Sequence, residues 1–121
     1  MTSDLPLDEQ IRLLSGSDFW HTAGVPERGI PPVLLSDGPH GLRAQPDGSD
    51  HLGLSGSRPA TCFPPAVTLG STWDEELVAE VGRALGQEAV AQGVGVVLGP
   101  GLNIKRHPRC GRNFEYLSED P

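Results

Sequence analysis

Positive charge is what this chain has least of. Nine Lys and Arg stand against sixteen Asp and Glu, a formal net charge of -7. That balance argues against nucleic acid or an anionic membrane surface as the main partner and leaves neutral ligands open. Long apolar runs are missing as well. None approaches the ~20 residues of a membrane-spanning helix, so no membrane partner is expected. The start, Met1-Thr2-Ser3-Asp4, lacks a basic segment followed by an apolar one. No secretory signal is therefore expected, and a cytoplasmic location is the expectation. Two cysteines, Cys62 and Cys110, are too few for a disulfide scaffold. In a cytoplasmic protein both read as reduced packing residues, although spacing leaves open a pair brought together in space. Hydrophobic residues make up only 36%, which is low for a self-sufficient globule of one domain's length.

What the chain has in quantity is turn-formers, 16 Gly and 12 Pro, so elements should be short and loops long. Leu7, Ile11 and Leu14 repeat at i, i+4 and i+7 and predict a helix over 7–14, with Pro6 and acidic Asp8 and Glu9 at its start. Ser15-Gly16 ends it, and Gly16 to Thr22 forms an aromatic-bearing loop. Trp20 there either stacks on a sugar face or packs under its own loop. Val33-Leu34-Leu35-Ser36 reads as a buried strand. Ala44 to Ala60 is a polar, Gly- and Ser-rich stretch expected to be an exposed loop or lid. Ala66 to Gly70 is a second strand candidate. Thr72 and Glu75 have capping-box spacing for a helix to about Gln92, with Gly93 to terminate it. Leu77, Val81, Ala84, Leu85 and Glu88 mark one helix face, and Gly82 and Gly86 would allow close approach to a sheet. Val94 to Leu98 is the third strand. Strand, helix, strand is a βαβ crossover, and three such strands fit the opening third of a (β/α)-barrel. In that architecture the loops after the strands share one face and hold the site.

Two of these post-strand segments carry chemistry. Asp37-Gly38-Pro39-His40-Gly41-Leu42-Arg43 sets a carboxylate and a guanidinium across a tight bend, with Asp37 either binding a ligand or capping the turn. Lys105, Arg106, Arg109 and Arg112 gather after the third strand. The glycines around that strand do not fit G-x-G-x-x-G between strand and helix, so a nucleotide cradle is not expected. The four histidines are scattered, and His107 with Cys110 supplies only two ligands where zinc needs three or four, so no metal or other cofactor is expected. No G-x-S-x-G elbow is present. Recognition of a neutral polyol remains, with Asp accepting and Arg donating to vicinal hydroxyls. A phosphosugar anion site, or a solvated basic loop paired to Glu115, Glu119 and Asp120, stands beside it.

Leu35-Ser36-Asp37-Gly38-Pro39-His40-Gly41-Leu42-Arg43 and Gly99-Pro100-Gly101-Leu102-Asn103-Ile104 closely resemble segments of the glycoside hydrolase family 3 β-glucosidases. So does Cys110-Gly111-Arg112-Asn113-Phe114-Glu115-Tyr116-Leu117-Ser118-Glu119-Asp120-Pro121, the most specific of the three. Ser15 to Thr22 and Thr61-Cys62-Phe63-Pro64 follow the same family in order, so the likeness spans about Leu7 to Pro121. The resemblance implies an α/β fold in which residues 1–121 form the N-terminal portion of a (β/α)8 TIM-like barrel, incomplete in this chain. It further implies an α/β sandwich domain beyond it and a glucose site between the two. Asp37 matches the aspartate that accepts hydrogen bonds from glucose hydroxyls, and Arg43 and Arg112 match arginines of the same subsite. Lys105 does not match the family's Lys-His pair, which lies further along.

A complete barrel takes about 200 residues or more. By the resemblance, the nucleophile aspartate and the acid/base glutamate lie past Pro121, and no catalytic residue is expected in this chain. The expectation is then the N-terminal segment of a retaining β-glucosidase acting on terminal β-D-glucosyl residues. Its partners would be a small β-glucoside and the rest of the enzyme's own chain, and alone it would be inactive. A free-standing sugar-binding or regulatory module is the alternative, as is a fragment with no activity and an open strand edge.

Overall fold

The computed structural model describes residues 4–45 and 56–120. Helix α1 spans Leu7–Leu13, strand β1 Leu35–Ser36, helix α2 Ala66–Gly70, helix α3 Glu75–Ala91 and strand β2 Val96–Val97. Single 3-10 turns lie at Pro26–Arg28 and Asn113–Glu115. The two strands are parallel neighbours, with Leu35 opposite Val96 and Ser36 opposite Val97. A parallel pair needs a crossover, and α3 supplies it. The result is one α/β unit.

Ala66–Gly70 is the main departure from the sequence reading: it is a helical turn and a half, not a strand. A five-residue apolar run does not separate the two by period. Pro65 stands as its N-cap, and the Pro65 carbonyl closes the first turn by accepting from the N–H of Leu69 at 3.1 Å. The crossover therefore runs from β1, and among the described residues the sheet has two strands where three were expected. The start of α3 also moves. Thr72 is not the N-cap; its Oγ1 donates to the carbonyl of Leu69 at 2.6 Å and closes the turn after α2. Asp74 caps instead, its Oδ1 accepting from the N–H of Leu77 at 2.9 Å. The far end agrees with expectation, with Gln92 as C-cap and Gly93 at φ 74°.

The core is small. Leu42, Ala44, Ala89 and Val94 are buried together, with Leu34, Ala60, Leu85 and Val97 packed against them. Of the predicted α3 face, Val81, Ala84, Leu85 and Glu88 are half-buried and Leu77 is exposed. Gly82 and Gly86 do not let the helix approach the sheet, since nothing lies within 4 Å of a Cβ built on either. They open instead onto an apolar cavity of about 350 Å³ between α3, β2 and Leu117. The predicted α1 face is uncovered too: Leu7, Ile11 and Leu14 are all exposed.

The stretch Ala44 to Ala60 is not uniformly exposed at its described ends. Ala44 is buried, and its carbonyl accepts from the N–H of Arg58 at 2.8 Å. The centre of that predicted lid lies outside the described residues. Cys62 and Cys110 are free thiols, so they form no pair. Both are exposed rather than packed, because each sits on a loop that the small core does not reach.

Candidate functional site

The chain leaves the carboxyl ends of β1 and β2 in the same direction, and these exits build the site. After β1, the carbonyl of Asp37 accepts from the N–H of Arg43 at 2.9 Å and pins the bend as an isolated antiparallel bridge. Ser36, buried, donates its Oγ–H to the same carbonyl at 2.9 Å. Gly38 and Gly41 take φ of 114° and 147°. A Cβ at Gly38 would stand 1.9 Å from the carbonyl oxygen of Gly41, and one at Gly41 would stand 2.5 Å from that of Thr61. Only glycine fits either position. Asp37 does cap its own turn, Oδ1 accepting from the N–H of Gly38 at 2.9 Å. A carboxylate has about four acceptor positions, so this leaves capacity for a ligand.

A brace holds the far side of this loop. The carbonyl of His40 accepts from the N–H of Phe63 at 2.8 Å. Glu88 of α3 accepts through Oε1 from both the N–H and the Oγ–H of Thr61, at 3.0 and 3.3 Å. Glu88 thus belongs to the scaffold of the site, a role its place in the helical pattern did not disclose.

After β2, a cis peptide joins Gly99 to Pro100. Gly99 approaches the Asp37 loop so closely that a Cβ there would stand 2.7 Å from Cβ of Pro39. The chain then turns back on itself, with Gly101 bridged in parallel to Tyr116 and the N–H of Lys105 reaching the carbonyl of Ser118. Arg112 opens the second 3-10 turn in the left-handed conformation, φ 64° and ψ 17°, which disfavours any side chain. Its Nε donates to Oε1 of Glu115 in an ion pair three residues apart. Hydrogen bonding to Glu115, then the charge of Glu115, raises the pKa of Arg112; the charges of Tyr116 and Asp37 add smaller contributions in the same direction. The Asp37 and Arg112 charges are therefore within electrostatic reach of each other, from two loops distant in sequence.

Of the predicted residues, Asp37 and Arg43 share one bend, and Arg112 lies on the second loop, where the charge of Asp37 makes a small contribution to its pKa. The pairing of the basic loop to its acidic neighbours is realised for Arg112 with Glu115. His40 lies between the loops, its ring edge-on to Phe114 with centroids 5.8 Å apart. Trp20 is half-buried and packs edge-on to Phe19 at 5.1 Å, which agrees with the packing alternative. Among the described residues no group of three metal-ligating side chains occurs. His107 instead uses Nδ1 to accept from the N–H of Arg109.

The fold is thus a parallel β-α-β unit, with a carboxylate and two guanidinium groups on the loops that follow its strands. Residues 48–121 match the model of the glycosyl hydrolase family 3 N terminal domain, so this chain belongs to that family. It is 55% identical over 117 residues to thermostable beta-glucosidase B of Acetivibrio thermocellus, covering 97% of this chain and 16% of that protein. It is 51% identical over 119 residues to an exo-alpha-(1->6)-L-arabinopyranosidase of Bifidobacterium longum, covering 98% and 16% respectively. Beta-glucosidase 3B of Thermotoga neapolitana, solved in complex with alpha-D-glucose, has a similar structure. Its TM-score is 0.82 at 39% identity, over 98% of this chain and 18% of that one. The chain thus spans about a sixth of the length of the curated relatives it matches.

Proposed function

We propose that residues 1–121 are the N-terminal part of a retaining β-glucosidase's (β/α)8 barrel and line its glucose-binding -1 subsite. Asp37 accepts hydrogen bonds from the sugar hydroxyls, while Arg43 and Arg112 donate to them. The observation that supports this reading is that Asp37 and Arg112 lie on the loops after two paired parallel strands, with the charge of Asp37 felt at Arg112. Family membership and the glucose-bound relative support the ligand class.

Retaining hydrolysis takes two carboxyl groups about 5 Å apart across the scissile bond. The carboxylate nearest Arg112, that of Glu115, is engaged by its guanidinium. By the family resemblance Asp37 is a binding group, and the nucleophile and the acid/base belong to the rest of the enzyme. In the full-length protein, Asp37→Ala or Arg112→Ala should each lower kcat/KM for an aryl β-D-glucoside by about tenfold or more. Wild-type turnover in both variants would refute the assigned roles.

A second reading, an exo-acting arabinopyranosidase, is favoured by the 51% identity to the Bifidobacterium longum enzyme. Comparing kcat/KM on aryl β-D-glucopyranoside and aryl α-L-arabinopyranoside decides between them.

A further inference from the structure

Glu115 and Ser36 are the two buried polar residues among those described, and Glu115 is the charged one, at 8% exposure. A carboxylate taken out of water needs a cation beside it. Its partner, the side chain of Arg112, is 72% exposed, so burial falls on the acid and not on the base. The local backbone is built around this pair. The N–H of Glu115 donates to the carbonyl of Arg112 at 3.1 Å, closing a 3-10 turn in which residues i and i+3 lie one above the other. Gly101 lets the turn press in from behind, because a Cβ there would stand 2.8 Å from the carbonyl oxygen of Glu115. Such a turn fixes where the carboxylate sits, and the carboxylate fixes the guanidinium.

We infer that Glu115 is the positioning residue of the subsite: by taking the Nε–H of Arg112 it orients the planar guanidinium and leaves the Nη edge for the sugar. An Arg presents its donors in a rigid fork, so holding one edge aims the other. This rests on the reading that Arg112 binds the sugar. Among the described residues Glu115 is the hydrogen-bond partner of that guanidinium, which leaves the remaining donors for a ligand.

The test is a double-mutant cycle in the full-length enzyme with Glu115→Gln and Arg112→Lys, each first checked for a cooperative thermal melt. Glu115→Gln keeps the length and the acceptor oxygen but drops the charge. It should lower kcat/KM for an aryl β-glucoside about fivefold to tenfold and weaken inhibition by glucose in proportion. In the Arg112→Lys background, where no Nε is available to hold, Glu115→Gln should cost less than twofold. Glu115→Asp should recover part of the loss. An equal loss in both backgrounds would show that Glu115 acts independently of Arg112 and would overturn the inference. Loss on Arg112→Lys with wild-type activity in Glu115→Gln would also overturn it, while leaving the subsite reading intact. Wild-type activity in Arg112→Lys and Arg112→Ala together would remove the subsite reading itself.

Discussion

The two loops of the rim are held by different means. The Asp37 loop is held by backbone: a bridge between Asp37 and Arg43, a buried Ser36 hydroxyl, and two glycines at positive φ that no other residue can replace. The Arg112 loop has backbone ties of its own, Gly101 to Tyr116 and Lys105 to Ser118, and adds an ion pair in which a buried carboxylate pulls back an exposed guanidinium on a left-handed residue. A loop fixed through its backbone tolerates changes of side chain and fails when a glycine gains a Cβ. The turn at Arg112 differs at Gly111, where a Cβ has room.

Glycine substitution should break this contrast most sharply. Gly38→Ala in the full-length protein should cost about 2–4 kcal/mol of stability, read from the denaturant midpoint, because the added Cβ meets backbone and not a movable side chain. Gly111→Ala, on the other loop, has nothing within 4 Å and no positive φ, and should stay within about 0.5 kcal/mol. Equal effects at the two positions would contradict the distinction.

Removing the brace gives a smaller effect. Glu88→Ala deletes the acceptor of both Thr61 donors and should cost about 1–2 kcal/mol by the same measurement, acting on the Asp37 loop through Phe63 and His40. A neutral result would mean that α3 does not support that loop.

The smallest effect concerns a third loop, Gly16 to Thr22, which is held by a carboxylate. The backbone N–H of Trp20 holds the Asp18 carboxyl below the usual aspartate range, opposed by partial burial and helped by hydrogen bonds and charge from His21. A carboxyl whose folded pKa is depressed contributes stability above its unfolded value, near 3.9. That contribution is lost as pH falls through the lower folded value. Wild type should therefore lose its advantage over Asp18→Asn across that acid interval and keep it at neutral pH. A difference that is the same at all pH values would contradict the sign.

The parts of the fold that were legible in the sequence are those with a chemical marker. Leu7 to Leu14 carried the period of a helix, Gly93 its terminator, and Asp37-Gly38-Pro39 the turn chemistry of a bend after a strand. Ala66–Gly70 carried no such marker, since five apolar residues behind a proline satisfy a short helix as well as a strand. Thr72 and Asp74 both have N-cap chemistry, and what separates them is the turn after α2, which occupies the Thr72 hydroxyl. The site divided along the same line. Asp37 and Arg43 stood out as charges beside a turn and Arg112 as one of four cations after a strand; the family resemblance singled out the three. Glu88 read as one position of a helix face and Glu115 as one of three acids beside a solvated basic loop, because burial and the partner across a turn are properties of the folded chain. The i, i+3 spacing of Arg112 and Glu115 was a signal, but only once a 3-10 turn was known to lie between them.

The most direct test of the central claim is a crystal structure of the full-length enzyme with glucose bound. The account predicts that the Asp37 carboxylate and an Nη of Arg112 both lie within about 3.2 Å of hydroxyls on the same ring. A glucose that engages one of them alone, or binds away from both loops, would contradict it.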